Sequence, residues 1–194
     1  LTPEYASPEQ FAGHDSGTWQ WRLPEPETCY EFLLQVQALG ENCQVEWPQS
    51  APIRMTRPIS FSDVQLQTRR QGDWFSVTGE VQVNEQLTVT FQELLRSARD
   101  NGNSRFLQLD DGQIVCLTDS FRRRLQEIAT ISDLRDQDAR FHLFTLPLTD
   151  RLLSEAGDLR HAPEWLERLQ AIDRAQNLQP EIPSGLRATL RAYQ

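Results

Sequence analysis

The stretch from Trp74 to Val83 alternates between apolar and mainly polar residues, and this period of two is the strongest structural signal in the sequence. In a strand, successive side chains point to opposite faces, so one face of this segment is apolar and the other mainly polar. The apolar face consists of Phe75, Val77, Gly79, Val81 and Val83. We therefore predict a half-buried strand, with a turn at Asn84-Glu85 and a partner strand around Leu87 to Val89.

Three threonines mark predicted helix starts. Thr90 precedes Glu93 and Thr28 precedes Glu31, which is the spacing of a capping box, and a third helix is predicted to begin after Thr118. Each start is followed by apolar residues at helical spacing. The predicted stripes are Phe32, Leu33, Val36 and Leu39; Phe91, Leu94, Leu95 and Ala98; and Phe121, Leu125 and Ile128. We expect the first helix to end at Gly40 and the second at Asn101-Gly102.

Further short elements complete the pattern. Asp110-Asp111-Gly112 lies between two apolar runs and predicts a hairpin, because tight turns need positive φ at their centre. Short strands are predicted around Trp19 to Trp21 and from Gln44 to Trp47. Beyond Ile131 we predict helices, one capped by Thr149 or Asp150 and one with Pro163 in its first turn, with an apolar stripe of Trp165, Leu169 and Ile172.

The resulting fold class is α+β, with an antiparallel, strand-rich module and packed helices, followed by a helical connector. Prolines at 48, 52 and 58 indicate a connection between units. We predict a helix and strand unit at residues 1–58, an α+β module at 59–131, a helical connector at 132–179 and a separate segment at 180–194.

Composition limits the chemistry. All 19 basic residues are arginine, so a P-loop lysine or a Schiff-base lysine is excluded within this sequence. The three cysteines, Cys29, Cys43 and Cys116, have no metal-binding spacing and are interpreted as buried apolar residues. No apolar run reaches the roughly 18 residues of a membrane span, so we expect a cytoplasmic protein that does not contact a membrane. The sequence does not indicate an oligomeric state.

Nucleic-acid contact has few candidates. The net charge of −9 opposes non-specific binding to phosphates. Arg69-Arg70 and Arg122-Arg123-Arg124 could form local basic patches, but short charge runs more often form solvated, salt-bridged faces. Trp74 is a candidate stacking platform, although packing is the commoner role of such a residue.

No motif for catalysis is present. Asp110 and Asp111 are explained by their turn, and the three histidines are far apart in sequence and lack the spacing of metal ligands. No Gly-x-Ser-x-Gly turn offers a nucleophile.

Two regions resemble a known family. Leu186 to Gln194, which ends in Arg191-Ala192-Tyr193-Gln194, resembles the opening of the ATPase core in Swi/Snf-type DNA-dependent ATPases of the superfamily-two helicases, with Ala192 where the family commonly has proline. The preceding accessory region of bacterial members is similar to three segments of this chain: Asp73 to Val81, Thr90 to Ala98, and Arg105 to Gly112.

The resemblance implies specific roles. It implies that Gln194 contacts the adenine of ATP, supported by Arg191 and Tyr193, and that residues 180–194 open an ATPase core. ATP and magnesium would then belong to a longer parent protein, of which this chain is expected to be a piece that binds no cofactor by itself.

Two functions follow as hypotheses. The first is a non-catalytic accessory or regulatory region that packs against the parent's ATPase core or a partner, with DNA bound through the parent. The second is a module that contacts nucleic acid and presents DNA to the motor. A free-standing enzyme is the remaining possibility.

Overall fold

The computed structural model describes residues 23–42, 44, 46, 53–101, 103–109, 112–135 and 138–177. Within these residues the chain forms five helices and eight strands, which confirms the α+β class. The elements in chain order are α1 (Pro26–Ala38), β1 (Val64–Gln71), β2 (Trp74–Gln82), β3 (Thr88–Thr90), α2 (Phe91–Asp100), β4 (Phe106–Gln108), β5 (Ile114–Cys116), α3 (Asp119–Ile131), β6 (Asp133–Arg135), β7 (Asp138–His142), α4 (Leu146–Leu153), β8 (Asp158–Arg160) and α5 (Pro163–Gln176).

A six-stranded sheet forms the centre of the fold. Its order is β6-β7-β2-β1-β8, and β3 pairs with β2 at the end that β7 leaves free. The β1–β8 pair is parallel and the other pairs are antiparallel, so the sheet is mixed. At Val77, the last residue of β2 that pairs with β7, the buried Gln92 side chain donates a hydrogen bond to the carbonyl oxygen at 3.1 Å.

The predicted alternating strand and its partner are confirmed as β2 and β3. Gly79 of β2 lies opposite Leu66 of β1. A Cβ atom at this position would come within 2.2 Å of the Gln65 carbonyl oxygen. The close approach of the two strands therefore requires glycine at residue 79.

The main core lies on one face of the sheet, between the strands and the helices. Phe61, in a short 3₁₀ turn before β1, contacts Phe91 of α2 and Phe121 of α3, with ring centroids 6.5 and 5.4 Å apart. Trp165 of α5 is fully buried against Phe75 of β2, edge to face at 5.1 Å. The apolar stripes predicted for α2, α3 and α5 all pack into this core.

Three of the predicted helix starts are confirmed. At the start of α2, the Thr90 backbone N–H donates to the Glu93 carboxylate at 2.8 Å, and the Glu93 N–H donates to the Thr90 hydroxyl at 3.3 Å. Thr118 caps α3 by accepting a hydrogen bond from the Phe121 N–H. Pro163 begins α5, where a fixed φ suits the first helical turn.

Two other predicted starts are wrong. Helix α1 begins at Pro26, after Glu25, so Thr28 lies inside the helix. Its predicted box partner, Glu31, forms an ion pair with a distant arginine instead. Helix α4 begins at Leu146, which places two predicted caps inside it: Thr149 donates to the Thr145 carbonyl, and Asp150 accepts from the Trp165 indole N–H at 2.8 Å.

The predicted hairpin is confirmed as β4 and β5, with Gly112 at a φ of 79°. Asp110 and Asp111 lie outside the described residues. The segment 53–59 runs beside β5 through isolated parallel bridges at Met55 and Ile59. A second, smaller apolar cluster forms here, where α1 packs on the hairpin.

The predicted helical connector, residues 132–179, is wrong in its element content. It contains α4 and α5, but it also contributes β6, β7 and β8 to the sheet, so it shares one core with residues 59–131. The two outer strands, β6 and β8, have the same short sequence, Asp-Leu-Arg. The strand predicted around Trp19 falls outside the described residues, and Gln44 and Glu46 are the only described residues of the strand predicted at 44–47.

Candidate functional site: the open face of the sheet

The second face of the sheet carries no helix layer in the described part of the chain, and we call it the open face. Residues on this face follow from the strand register, since side chains alternate along each strand. They are mainly polar and exposed or half-buried, with Ser76 the buried exception. From β1 and β2 they are Gln65, Gln67, Arg69, Gln71, Trp74, Ser76, Thr78, Glu80 and Gln82.

One end of the open face forms a polar groove of 640 Å³, bordered by the first turn of α2. The groove mixes amides and both signs of charge. It is lined chiefly by Gln65, Gln67, Thr78, Glu80, Gln92, Glu93, Arg96, Asp138, Asp158 and Arg160. Two of these side chains already have partners: Arg160 pairs with Asp158 at 3.0 Å, and Glu93 takes part in the α2 cap. The groove therefore presents polar recognition groups with an excess of negative charge, four carboxylates to two arginines.

The other end of the open face carries an aromatic–arginine patch, which we define as Trp74, Arg140, His142 and Phe144. The Arg140 guanidinium lies 5.3 Å from the centre of the Trp74 ring. His142 meets Trp74 edge to face at 5.0 Å, and the Phe144 ring lies 5.0 Å from that of His142. Phe144 is 90% exposed, far more than any other large apolar residue in the described chain.

Strand pairing explains why these four residues meet. Trp74 of β2 lies opposite His142 of β7, and Ser76 lies opposite Arg140, so Trp74, Arg140 and His142 share one face. A 3₁₀ turn follows β7, and the Phe144 backbone N–H donates to His142 Nδ1 at 3.3 Å. Because Nδ1 accepts this hydrogen bond, the neutral ring carries its proton on Nε2.

Arg140 has donors to offer. Its Nε atom is buried and has no hydrogen-bond acceptor among the described residues. Arg69 of β1 lies opposite Ser76, so Arg69, Ser76 and Arg140 form a row across three strands, and Arg69 is exposed. The patch and the neighbouring Arg69 thus place ring faces and two arginines on the same side of the sheet.

The structure separates the other predicted arginine candidates from this patch. Arg70 points to the opposite face from Arg69 and lines a small cavity with Glu164 and Glu167 of α5. On α3, Arg124 binds Glu155 at 2.5 Å and the Leu152 carbonyl at the end of α4. In the arginine run 122–124 of α3, Arg124 is therefore already engaged in intramolecular contacts.

The two other arginines of that run differ from each other. Arg122 lies 4.0 Å from Asp119 and donates to Gln126, whereas Arg123 is exposed. This arrangement is the solvated, salt-bridged face that the sequence offered as the alternative to a basic patch.

Gln194, Arg191 and Tyr193, the residues that the resemblance assigns to ATP, lie outside the described residues. Cys116 is fully buried, and burial raises the pKa of its thiol to about 11, as expected for an inert core cysteine. No group of three His, Cys, Asp or Glu side chains within the described ranges could hold a metal ion.

Three patch residues were missed in the sequence: Arg140, His142 and Phe144. The segment Arg140-Phe141-His142-Leu143-Phe144 does alternate, which is the signal that could have identified β7. The segment is predicted from the sequence as part of the helical connector, which has no strand faces.

Comparison with known proteins gave no match to a family model, to a curated protein or to a solved structure. None of the helices in the described ranges has the length and apolar character needed to span a membrane.

Proposed function

We propose that this chain is a non-catalytic accessory region of a bacterial Swi/Snf-type DNA-dependent ATPase, and that it binds the motor or a partner through the open face of its sheet. The observation that carries the proposal is the groove at residues such as Gln67, Glu80 and Arg160, because it presents amides and both signs of charge, with an excess of carboxylates, on one exposed face. Protein interfaces use polar rims of this kind to fix register and specificity.

The positions of the resembling segments support the same proposal. Asp73 to Val81 falls almost entirely on β2, Thr90 to Ala98 forms the start of α2, and Arg105 to Gly112 contains β4. The first two segments border the groove. A resemblance that follows structural elements and their order is more informative than scattered identities.

The parent assignment is tested first by reading the coding sequence beyond Gln194. We expect a Gly-Lys-Thr phosphate loop within about 30 residues, because the ATPase needs the lysine that this sequence lacks. A stop codon at that position would overturn the assignment.

The role of the open face is tested in the parent protein by DNA-stimulated ATP hydrolysis. Glu80→Arg reverses a charge in the groove, and Glu127→Arg makes the same change at an exposed position of α3. We expect the first variant to change DNA-stimulated turnover and the second to match the wild type. Equal rates for all three proteins would overturn the docking role of the groove.

The alternative, a module that contacts nucleic acid, is favoured by one observation, the aromatic–arginine patch.

A further inference from the structure

We propose that the aromatic–arginine patch binds single-stranded nucleic acid, with a base stacked on Phe144 and phosphates held by Arg140 and Arg69. The inference specifies the ligand and the residues of the alternative function above. It depends on the geometry of the patch and not on the assignment of an ATPase parent.

Phe144 supplies the stacking surface. Its ring is 90% exposed, which is unusual for a large apolar side chain, and it extends a row of rings formed with His142 and Trp74. The hydrogen bond from the Phe144 N–H to His142 Nδ1 fixes the turn that presents the ring. A base can lie on such a ring without regard to its identity, since every base has a π face.

Arg140 and Arg69 supply the phosphate contacts. The planar guanidinium of Arg140 is held over Trp74, and its buried Nε lacks an acceptor in the described part of the molecule. A guanidinium binds a phosphate through two parallel hydrogen bonds, and because the Nε of Arg140 is buried, these would come from its two terminal nitrogens. Arg69 lies exposed in the same row, two strands away.

The nearby carboxylates are already engaged. Asp133 lies opposite Arg140 in β6 but binds Arg135 at 2.7 Å, and Asp138 accepts a hydrogen bond from Gln71 at 3.1 Å. Neither of these two aspartates forms an ion pair with Arg140. The net charge of −9 for the whole chain predicts that binding is weak and strongly dependent on salt.

Exposed ring faces favour a single strand over a duplex, in which the base faces are stacked on each other. An acidic peptide could use Arg140 and Arg69, but it would place no flat group on Phe144 unless it also carried an aromatic residue. The ring row and the two arginines together match an unpaired nucleotide strand better.

The test uses the complete 194-residue chain and fluorescence anisotropy at low salt. The probes are a labelled DNA strand and a labelled RNA strand of about 12 nucleotides, within the site sizes of known single-strand binders, and a duplex of the same length. Binding of either single strand in preference to the duplex supports the proposal. Preference for the duplex, or no binding at low salt, overturns it.

Matched variants locate the site. Phe144→Ala is compared with Leu166→Ala, which shortens an exposed apolar residue of α5, and Arg140→Gln is compared with Arg123→Gln. We expect the two patch variants to weaken binding about tenfold each and the controls to leave it unchanged. Equal binding by all variants would overturn the proposal, as would competition by an acidic, aromatic peptide with no competition by unlabelled strand. Unchanged circular dichroism confirms that each variant is folded.

Discussion

The guanidinium of Arg105 binds both carboxylate oxygens of Glu31, although 74 residues separate the two in sequence. Arg105 precedes β4 and Glu31 lies in α1, and both side chains are mostly shielded from solvent. The hydrogen bonding of the Arg105 guanidinium to the Glu31 carboxylate is the main reason that the pKa of Arg105 is raised. Beside it, Tyr30 packs on Phe106 at 5.3 Å. The ion pair therefore joins the first helix to the β4–β5 hairpin.

Glu31→Gln should release this attachment. The variant leaves the partly buried guanidinium without its carboxylate, so we expect the free energy of unfolding to fall by about 1–2 kcal/mol in urea denaturation. Amide hydrogen exchange should also speed up in α1. Glu27→Gln is the control, because Glu27 is an exposed residue of the same helix. Equal losses for both variants would contradict a specific role for the ion pair.

Thr90→Ala should destabilise α2. The substitution removes the hydroxyl that accepts the Glu93 N–H, and loss of such a cap costs about 1 kcal/mol. The measurement is the shift in the urea midpoint, compared with Thr88→Ala at an exposed position of β3. If the Thr88 variant loses as much stability, the cap is not the cause.

Asp63 should make stability depend on pH in the acid range. The Ser60 backbone N–H donates to its carboxylate at 2.8 Å, and this bond is the first cause that lowers the pKa of Asp63 below 3.8. The stabilisation is therefore present above pH 3.8 and is lost as pH falls through the lower folded value.

Asp63→Asn tests this dependence by thermal unfolding across pH. We expect the variant to be less stable than the wild type near pH 7 by at most about 1 kcal/mol, with a difference that disappears in strong acid. A constant difference at every pH would show that the charge of Asp63 does not contribute.

Cys116 should resist alkylation in the folded protein. Burial raises the pKa of its thiol from 9.0 to about 11, so almost no thiolate exists near pH 8. Iodoacetamide should modify the half-buried Cys29 first, and Cys116 only after unfolding, as followed by mass spectrometry of the peptides.

The same shift predicts a decline in stability in alkali. The unfolded thiol loses its proton from about pH 9 while the folded thiol keeps it, so the Cys116 contribution favours unfolding as pH rises toward 11. Cys116→Ser should show a weaker decline over this range. Rapid alkylation of folded Cys116 would contradict its burial.

Sequence patterns among neighbouring residues predicted the strand β2 and the start of helix α2 correctly. The alternation of β2 and the Thr90 box of α2 were both correct, since each feature is formed by residues close in the chain. Thr28 failed because α1 begins earlier, at Pro26, a residue suited to the first helical turn. Glu31, its expected capping partner, binds Arg105 instead, and sequence spacing carries no information about such a tertiary contact.

The candidate site was only partly predictable for the same reason. Trp74 and Arg69 were singled out, but their connection through Ser76 to Arg140 exists only once β7 pairs with β2. Strands of three to five residues, such as β6, β7 and β8, give too few alternations to distinguish them from helix or loop. Their structure is set by the neighbouring strands.

The repeated Asp-Leu-Arg sequence of β6 and β8 has a consequence for aggregation. These strands stand at the two ends of the main strand order, with β3 as a separate edge, and the free N–H and C=O groups of an end strand could recruit a strand from another molecule. Each of the two end strands is only three residues long and bears an aspartate paired with its own arginine, at 2.7 Å in β6 and 3.0 Å in β8. Short, charged strands are poor templates for a further strand, so β6 and β8 oppose growth of the sheet into fibrils.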